Sequence, residues 1–301
     1  MMKGMDSRIP TLSILCWLAL SLAAVSASAT TRYAVSGLVI SVEPSNRTMV
    51  VSCERIPGYM DAMVMSFSVR DAKELGGLTP GTMVDFTLVV EKGSSHAESV
   101  RIRYFTSPAQ ETVQQQRLEA LQKVLQPQTS GTVLRPGEPV PDFTLTDQTG
   151  TKISLHQFAG KVVLLDFVYT RCALPNYCYR FSNQFGTLQR RFADRLGKDV
   201  VQMTITFDPV HDQPEVLADY AKTWKANSKT WHFLTGSPED VERVCSWFGI
   251  EAWPNEGLLV HTLHTAIIDR DGRLAANLEG NQFTAQQLGD LAETVMDRPK
   301  K

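Results

Sequence analysis

Cysteine is scarce in this chain, with five in 301 residues. That is too few for a disulfide-built scaffold, so each cysteine has to be read by its neighbours. Net charge is scarce too, with a formal balance of -2 at pH 7. So neutral a chain has no general electrostatic footprint for nucleic acid or an anionic membrane, and no nucleic-acid partner is expected. Internal repeats and low-complexity tracts are missing. What remains is 43% hydrophobic residues, enough to build packed cores and to exclude wholesale disorder. The length fits two domains better than one, at roughly 100–200 residues each.

Residues 1–29 read as a secretory signal. Lys3 and Arg8 supply the positive end, Thr11 to Val25 the apolar stretch, and Ala27-Ser28-Ala29 an A-x-A cleavage site. The apolar run is about 15 residues, against the ~20 that a spanning helix needs. Cleavage after Ala29 is expected, leaving the mature chain in the periplasm. An uncleaved membrane anchor is the alternative, and the one case in which membrane contact is expected. Cys16 would leave with the signal; Leu15 before it is too bulky for a lipoprotein signal. The mature cysteines are then Cys53, Cys172, Cys178 and Cys245. In an oxidising compartment a close cysteine pair can be a disulfide, a redox couple or a metal site.

Residues 30–105 have a β pattern. Val35, Val39 and Val42 belong to a first run, Thr48 to Ser52 to a second, and Val84, Phe86, Leu88 and Val90 alternate on one face. The turns Leu78-Thr79-Pro80-Gly81-Thr82 and Lys92-Gly93-Ser94-Ser95 separate later strands. About five short strands predict a small closed all-β barrel of the OB type. Residues 106–135 form a linker, with a weakly amphipathic helix expected at 110–126. From 136 to 298 strands and helices alternate, as in an α/β domain. Val162 to Tyr169 is a continuous apolar run, as expected of a strand buried on both faces.

Cys172 and Cys178 stand just past the carboxyl end of that strand, leading into a helix. Reactive groups in open α/β sheets gather at this edge, and a helix amino terminus favours thiolate. Thiolate both attacks disulfides and binds metal. A loop of this width, with Pro175 in it, lets both sulfurs face one soft ion or close a disulfide.

Residues 137–296 resemble the SCO/SenC family of thioredoxin-fold copper proteins associated with cytochrome c oxidase assembly. The matching stretches are Pro141-Asp142-Phe143, the VVLLDFVYTRC run into Cys172, Asp208-Pro209-Val210-His211-Asp212-Gln213-Pro214, and His261-Thr262-Leu263-His264-Thr265 leading to Ile268-Asp269-Arg270-Asp271-Gly272. Family members usually carry three residues between the metal cysteines, where this chain has five. The resemblance implies a thioredoxin-like fold and Cys172, Cys178 and His261 as copper ligands. Two thiolates and an imidazole suit Cu(I), and can hold Cu(II) with a further ligand. The resemblance also sets Asp208 near the site as a supporting acid, beside the plain reading of a turn aspartate. Asp166, six residues before Cys172 inside the apolar strand, lies at the offset where thioredoxins keep a buried proton acceptor. Arg171 is a candidate to offset dithiolate charge. His264 is expected to point away from His261 as the strand extends, and Cys245 to be a core residue.

Met63 and Met65 are two apart, so on a strand both thioethers share a face. Alone, M-x-M reads as core methionine. Residues 33–104, however, resemble the CusF-like periplasmic copper-binding domains in that strand and in the leucine-proline-glycine turn at Leu78-Thr79-Pro80-Gly81. The resemblance implies a second copper site at Met63 and Met65, with Cys53 approximately where the family carries a histidine ligand. No tryptophan lies in this stretch to cap the ion; Tyr59 and Met60 are candidate lid residues.

These readings converge on a periplasmic copper metallochaperone delivering to a cytochrome c oxidase subunit or another copper acceptor protein. A thiol-disulfide oxidoreductase or thiol peroxidase using the Cys172/Cys178 pair is the alternative, and a passive copper-sequestering module a third. The oligomeric state is left open.

Overall fold

The structure is a computed structural model describing residues 30–105, 133–255 and 258–299. The signal segment and the helix expected at 110–126 lie outside the described residues. Among the described residues no helix is long and apolar enough to cross a membrane.

The N-terminal strands are β1 (Thr31–Glu43), β2 (Thr48–Cys53), β3 (Met63–Ser68), β4 (Met83–Glu91) and β5 (Ser94–Ile102). They form one antiparallel sheet in the order β3-β2-β1-β4-β5. The expected closed OB barrel does not form. The edge strands β3 and β5 approach at one end, where Val69 bridges Ala97, but no ladder joins them. A register shift between Val39 and Ser41 bends β1, and this curls the sheet around its own core.

The two faces of that sheet follow the strand period of two. Val35, Val39, Met49, Val51, Cys53, Phe67, Val84, Phe86 and Leu88 build the inner core. Leu38, Ile40 and Met83 point the other way and join the core of the C-terminal fold with Ala276, Leu278 and Leu288. Gly81 lies at this contact with φ +93, and a Cβ there would stand 3.1 Å from the Leu278 side chain.

The C-terminal fold carries β6 (Thr144–Asp147), β7 (Lys152–Ser154), β8 (Val162–Val168), β9 (Val200–Thr206), β10 (Trp231–Thr235), β13 (His264–Ile268) and β14 (Leu274–Glu279), in the order β14-β13-β8-β9-β10-β6-β7. The three central strands β8, β9 and β10 run parallel and are buried at every residue. That is why β8 reads as an apolar run broken only by Asp166, while β9 buries Gln202, Thr204 and Thr206 as well. On one face pack α1 (Cys178–Arg191), α2 (Pro214–Thr223) and α4 (Ala285–Met296), through residues such as Phe181, Phe185, Leu217, Leu288 and Leu291. On the other lies α3 (Pro238–Trp247), with Val241, Val244 and Cys245. Cys245 is therefore the core residue expected. Fully burying side chains of this kind contributes roughly 1.5–3 kcal/mol each, which offsets the cost of ordering the chain. A separate two-stranded hairpin, β11 (Ala252–Asn255) and β12 (Leu258–His261), stands outside the main sheet.

Candidate metal centre

The parallel strand β8 ends at Val168, and the chain then turns through Tyr169–Tyr177 before α1 begins at Cys178. Cys172 lies in this loop, half-buried; Cys178 is the first residue of the helix and is buried. His261 arrives from elsewhere, as the last residue of β12. The ligand atoms of Cys172, Cys178 and His261 all lie within 4.8 Å of one another. No disulfide joins the cysteines.

The electrostatics separate the two thiols. A hydrogen bond from the Cys178 thiol outweighs burial at Cys172 and, with a contribution from His261, lowers the Cys172 thiol to about 4. Burial, then the hydrogen bond to Cys172 and the negative charge there, pushes Cys178 well above the ordinary thiol range. The helix amino terminus is expected to favour thiolate at this pair; burial opposes that at Cys178, and the loop sulfur of Cys172 is the one favoured as thiolate. His261 donates from Nδ1 to the Thr262 carbonyl oxygen at 2.8 Å. This fixes the tautomer and leaves the Nε2 lone pair for an ion. The imidazole is boxed by aromatic rings: Phe207 at 4.6 Å, Tyr169 at 5.8 Å and Tyr177 at 5.9 Å between centroids.

Two sulfurs and one imidazole nitrogen in an apolar box fit a soft, low-coordinate ion better than zinc, which takes four ligands in structural sites. The nearby carboxylate of Asp208 is occupied elsewhere. Asp208 is bound by Arg171 Nη2 at 2.7 Å and lies 2.8 Å from His211 Nδ1. Burial opposes its ionisation, but His211 and Arg171 hold it below the ordinary carboxylate range. Arg171 is thus matched by Asp208 rather than left over for the thiolates. Asp166 is fully buried; Thr204 Oγ1 donates to its Oδ1, and its Oδ2 has no partner among the described residues. Burial pushes its carboxyl up to about 8. His264 turns away from the site as expected, but not by strand alternation. It starts β13 in the main sheet while His261 ends the satellite hairpin, and its ring meets Asn277.

In the N-terminal sheet, Cys53 pairs directly with Met63 and Val51 with Met65 across β2 and β3. Opposed residues share a face, so Cys53, Met63 and Met65 project together. Cys53 is buried, Met65 half-buried and Met63 48% exposed. Burial, with Glu54 beside it, pushes the Cys53 thiol up to about 12. Met60 packs against the same core, and Tyr59 stacks on Tyr33 with centroids 4.3 Å apart.

Residues 134–296 match the SCO1/SenC family model, more than half of the chain. The chain belongs to the SCO1/SenC family. Residues 32–102 of this SCO1/SenC protein match a second model, copper binding periplasmic protein CusF. A SCO1 protein homolog of Bacillus subtilis is 28% identical over 150 residues, covering 48% of this chain and 76% of its own. Protein sco1 of Schizosaccharomyces pombe is 25% identical over 200 residues, covering 64% and 69%. Among solved structures, a SCO1/SenC family lipoprotein from Bacillus anthracis is 23% identical with a TM-score of 0.48, over 54% of this chain and 100% of that one. Bradyrhizobium japonicum ScoI, solved with copper bound, is 22% identical with a TM-score of 0.45, over 52% and 99%.

Around the SCO1/SenC site the structure adds residues that sequence reasoning did not single out. Asp212, fully buried, accepts from the Thr170 amide at 3.0 Å, the Thr170 hydroxyl at 2.5 Å and the Thr206 hydroxyl at 2.5 Å. It ties the segment two residues before Cys172 to the end of β9. Asn281 Nδ2 donates to the Asn176 carbonyl oxygen at 2.6 Å and holds the other end of the loop. The available signal was the aspartate inside Asp208-Pro209-Val210-His211-Asp212. Phe207 and Tyr177, which wall His261, had none beyond being aromatic.

Proposed function

We propose that this SCO1/SenC chain is an extracytoplasmic copper metallochaperone with two copper sites. The first is formed by Cys172, Cys178 and His261, the second by Met63, Met65 and Cys53. Copper is cargo: it enters as Cu(I), is held by soft donors and leaves by ligand exchange to a copper acceptor protein. A cytochrome c oxidase subunit is the acceptor that fits the family. The observation that carries the reading is the convergence of two sulfurs and one imidazole within 4.8 Å, with the imidazole already oriented by Thr262. A thiolate ready at neutral pH needs no proton removed before it binds the ion. The CusF match over residues 32–102, with Cys53, Met63 and Met65 on one face, supports the second site. Asp208 would act through Arg171, by holding the chain next to Cys172. Residues 1–29 would serve as the export signal, and 106–135 as the joint between the two units.

The test is anaerobic Cu(I) titration of the chain against a chromophoric chelator. The wild type should hold two equivalents, and His261→Ala and Met63→Ala/Met65→Ala one each. Unchanged binding by His261→Ala would refute the C-terminal site.

A second reading is thiol-disulfide exchange, favoured by the low Cys172 thiol and by buried Asp166 with an oxygen lacking a partner. Disulfide reductase activity that survives His261→Ala but not Cys172→Ser would establish it over copper delivery.

A further inference from the structure

The reading above gives one chain two copper sites, and their placement decides how an ion can travel between them. Alternation along β2 sends neighbouring side chains to opposite faces of the N-terminal sheet. Ser52 faces the C-terminal fold: its hydroxyl donates to Asp290 Oδ2 at 2.7 Å, and Gln287 Nε2 donates to its carbonyl oxygen at 3.1 Å. Cys53, the next residue, therefore projects away from the C-terminal fold, into a core built wholly from residues of the N-terminal unit. Met63 and Met65 follow it by register. Val64, between them, faces the other way and shares a surface depression with Asp290, Glu293 and Thr294.

The second observation comes from α1, which begins at Cys178 and ends at Arg191. Arg191 Nη2 donates to Asp290 Oδ1 at 2.7 Å, so the end of α1 far from the metal centre is the end that meets the Ser52 contact. A helix of this length separates its ends by about 20 Å. Packing of Leu38, Ile40 and Met83 into the shared core holds the sheet in this position.

We infer that in the docked chain the two sites are back to back, and that copper does not pass directly between them. The Cys53/Met63/Met65 face exchanges its ion with a separate protein molecule that presents thiolate or thioether donors, including the Cys172/Cys178/His261 centre of a second copy. Transfer between the two kinds of site is then a bimolecular step, which goes beyond the two-site reading on which it rests.

The experiment adds one equivalent of Cu(I) anaerobically to the chain and follows redistribution by NMR. Methyl signals of Met63 and Met65 report one site and ring signals of His261 the other, over a tenfold range of protein concentration. The rate should rise in proportion to concentration, with an intercept at zero concentration that is indistinguishable from zero; absence of redistribution in dilute protein agrees with this. A finite, concentration-independent rate would overturn the inference. A Cys172→Ser/Cys178→Ser chain, titrated alongside, tests the underlying reading separately. If it binds no Cu(I), the N-terminal site itself is refuted.

Discussion

An Asp166→Asn chain should be more stable than the wild type at pH 8, with the advantage shrinking as the pH falls. Asp166 has no solvent exposure, and burial pushes its carboxyl from 3.8 up to about 8. Its folded-state value lies above its unfolded value. Its contribution to stability is therefore complete below about pH 4 and is lost as the pH rises through 8. The gap is about four pH units at 1.36 kcal/mol each, on the order of 5 kcal/mol at pH 8. Asparagine keeps an oxygen to accept the Thr204 hydroxyl and does not titrate. Its amide nitrogen takes the place of Oδ2, which has no partner, and leaving it without one costs roughly 1–3 kcal/mol. A net gain of about 2–4 kcal/mol at pH 8 is expected from these terms. The assay is urea unfolding of the reduced, metal-free chain at pH 5, 6.5 and 8. Past residue 29 every tryptophan lies between Trp224 and Trp253, so indole fluorescence reports on the C-terminal fold. Parallel pH profiles for the two chains would refute the reasoning, because they would mean Asp166 is not carrying a proton that the unfolded chain releases.

Burial lowers His264 to about 4, with Asn277 opposing the shift. Its contribution is therefore intact above pH 6.5 and lost as the pH falls toward 4. In the Asp166→Asn background, acid destabilisation in that window should diminish on His264→Gln, read by the same unfolding assay. Asp212→Ala removes the shared acceptor of Thr170 and Thr206 and should destabilise the fold by about 3 kcal/mol. It should also weaken Cu(I) retention in competition with a chelator, whereas Ser237→Ala, which removes only the cap bond from the Asp240 amide at the start of α3, should cost stability alone. Gly81→Val places a β-branched residue at φ +93 against Leu278. Backbone strain of about 1–2 kcal/mol plus the clash should loosen the contact between sheet and C-terminal fold, seen as an increased radius of gyration in solution scattering.

The strands buried on both faces were legible because continuous apolar runs such as Val162 to Val168 have few other readings. Helices α1 to α4 were legible as members of the strand–helix alternation over residues 136–298. The hairpin that carries His261 was not: Ala252–Asn255 is short and contains Pro254, so no alternation announces a strand. Barrel closure was also out of reach, because it depends on whether β3 and β5 find each other. Edge pairing is a long-range property that alternation along each strand does not encode. The ligand trio came from motif resemblance, and its compactness only from the fold, since His261 lies far along the chain from both cysteines. Which sulfur holds the negative charge needed burial, as Cys172 and Cys178 are equivalent by spacing.

His261 belongs to a two-stranded hairpin outside the main sheet, whereas both cysteines are anchored to the sheet edge and α1. An ion held by all three would act as a reversible cross-link, closing a long loop and fastening an appendage to the frame. Loading then stabilises the folded chain by mass action, and much of that gain is local to the hairpin. Amide exchange in β11 and β12 should slow on loading far more than in β8 or β9, so the hairpin's mobility becomes a readout of whether the cargo is aboard.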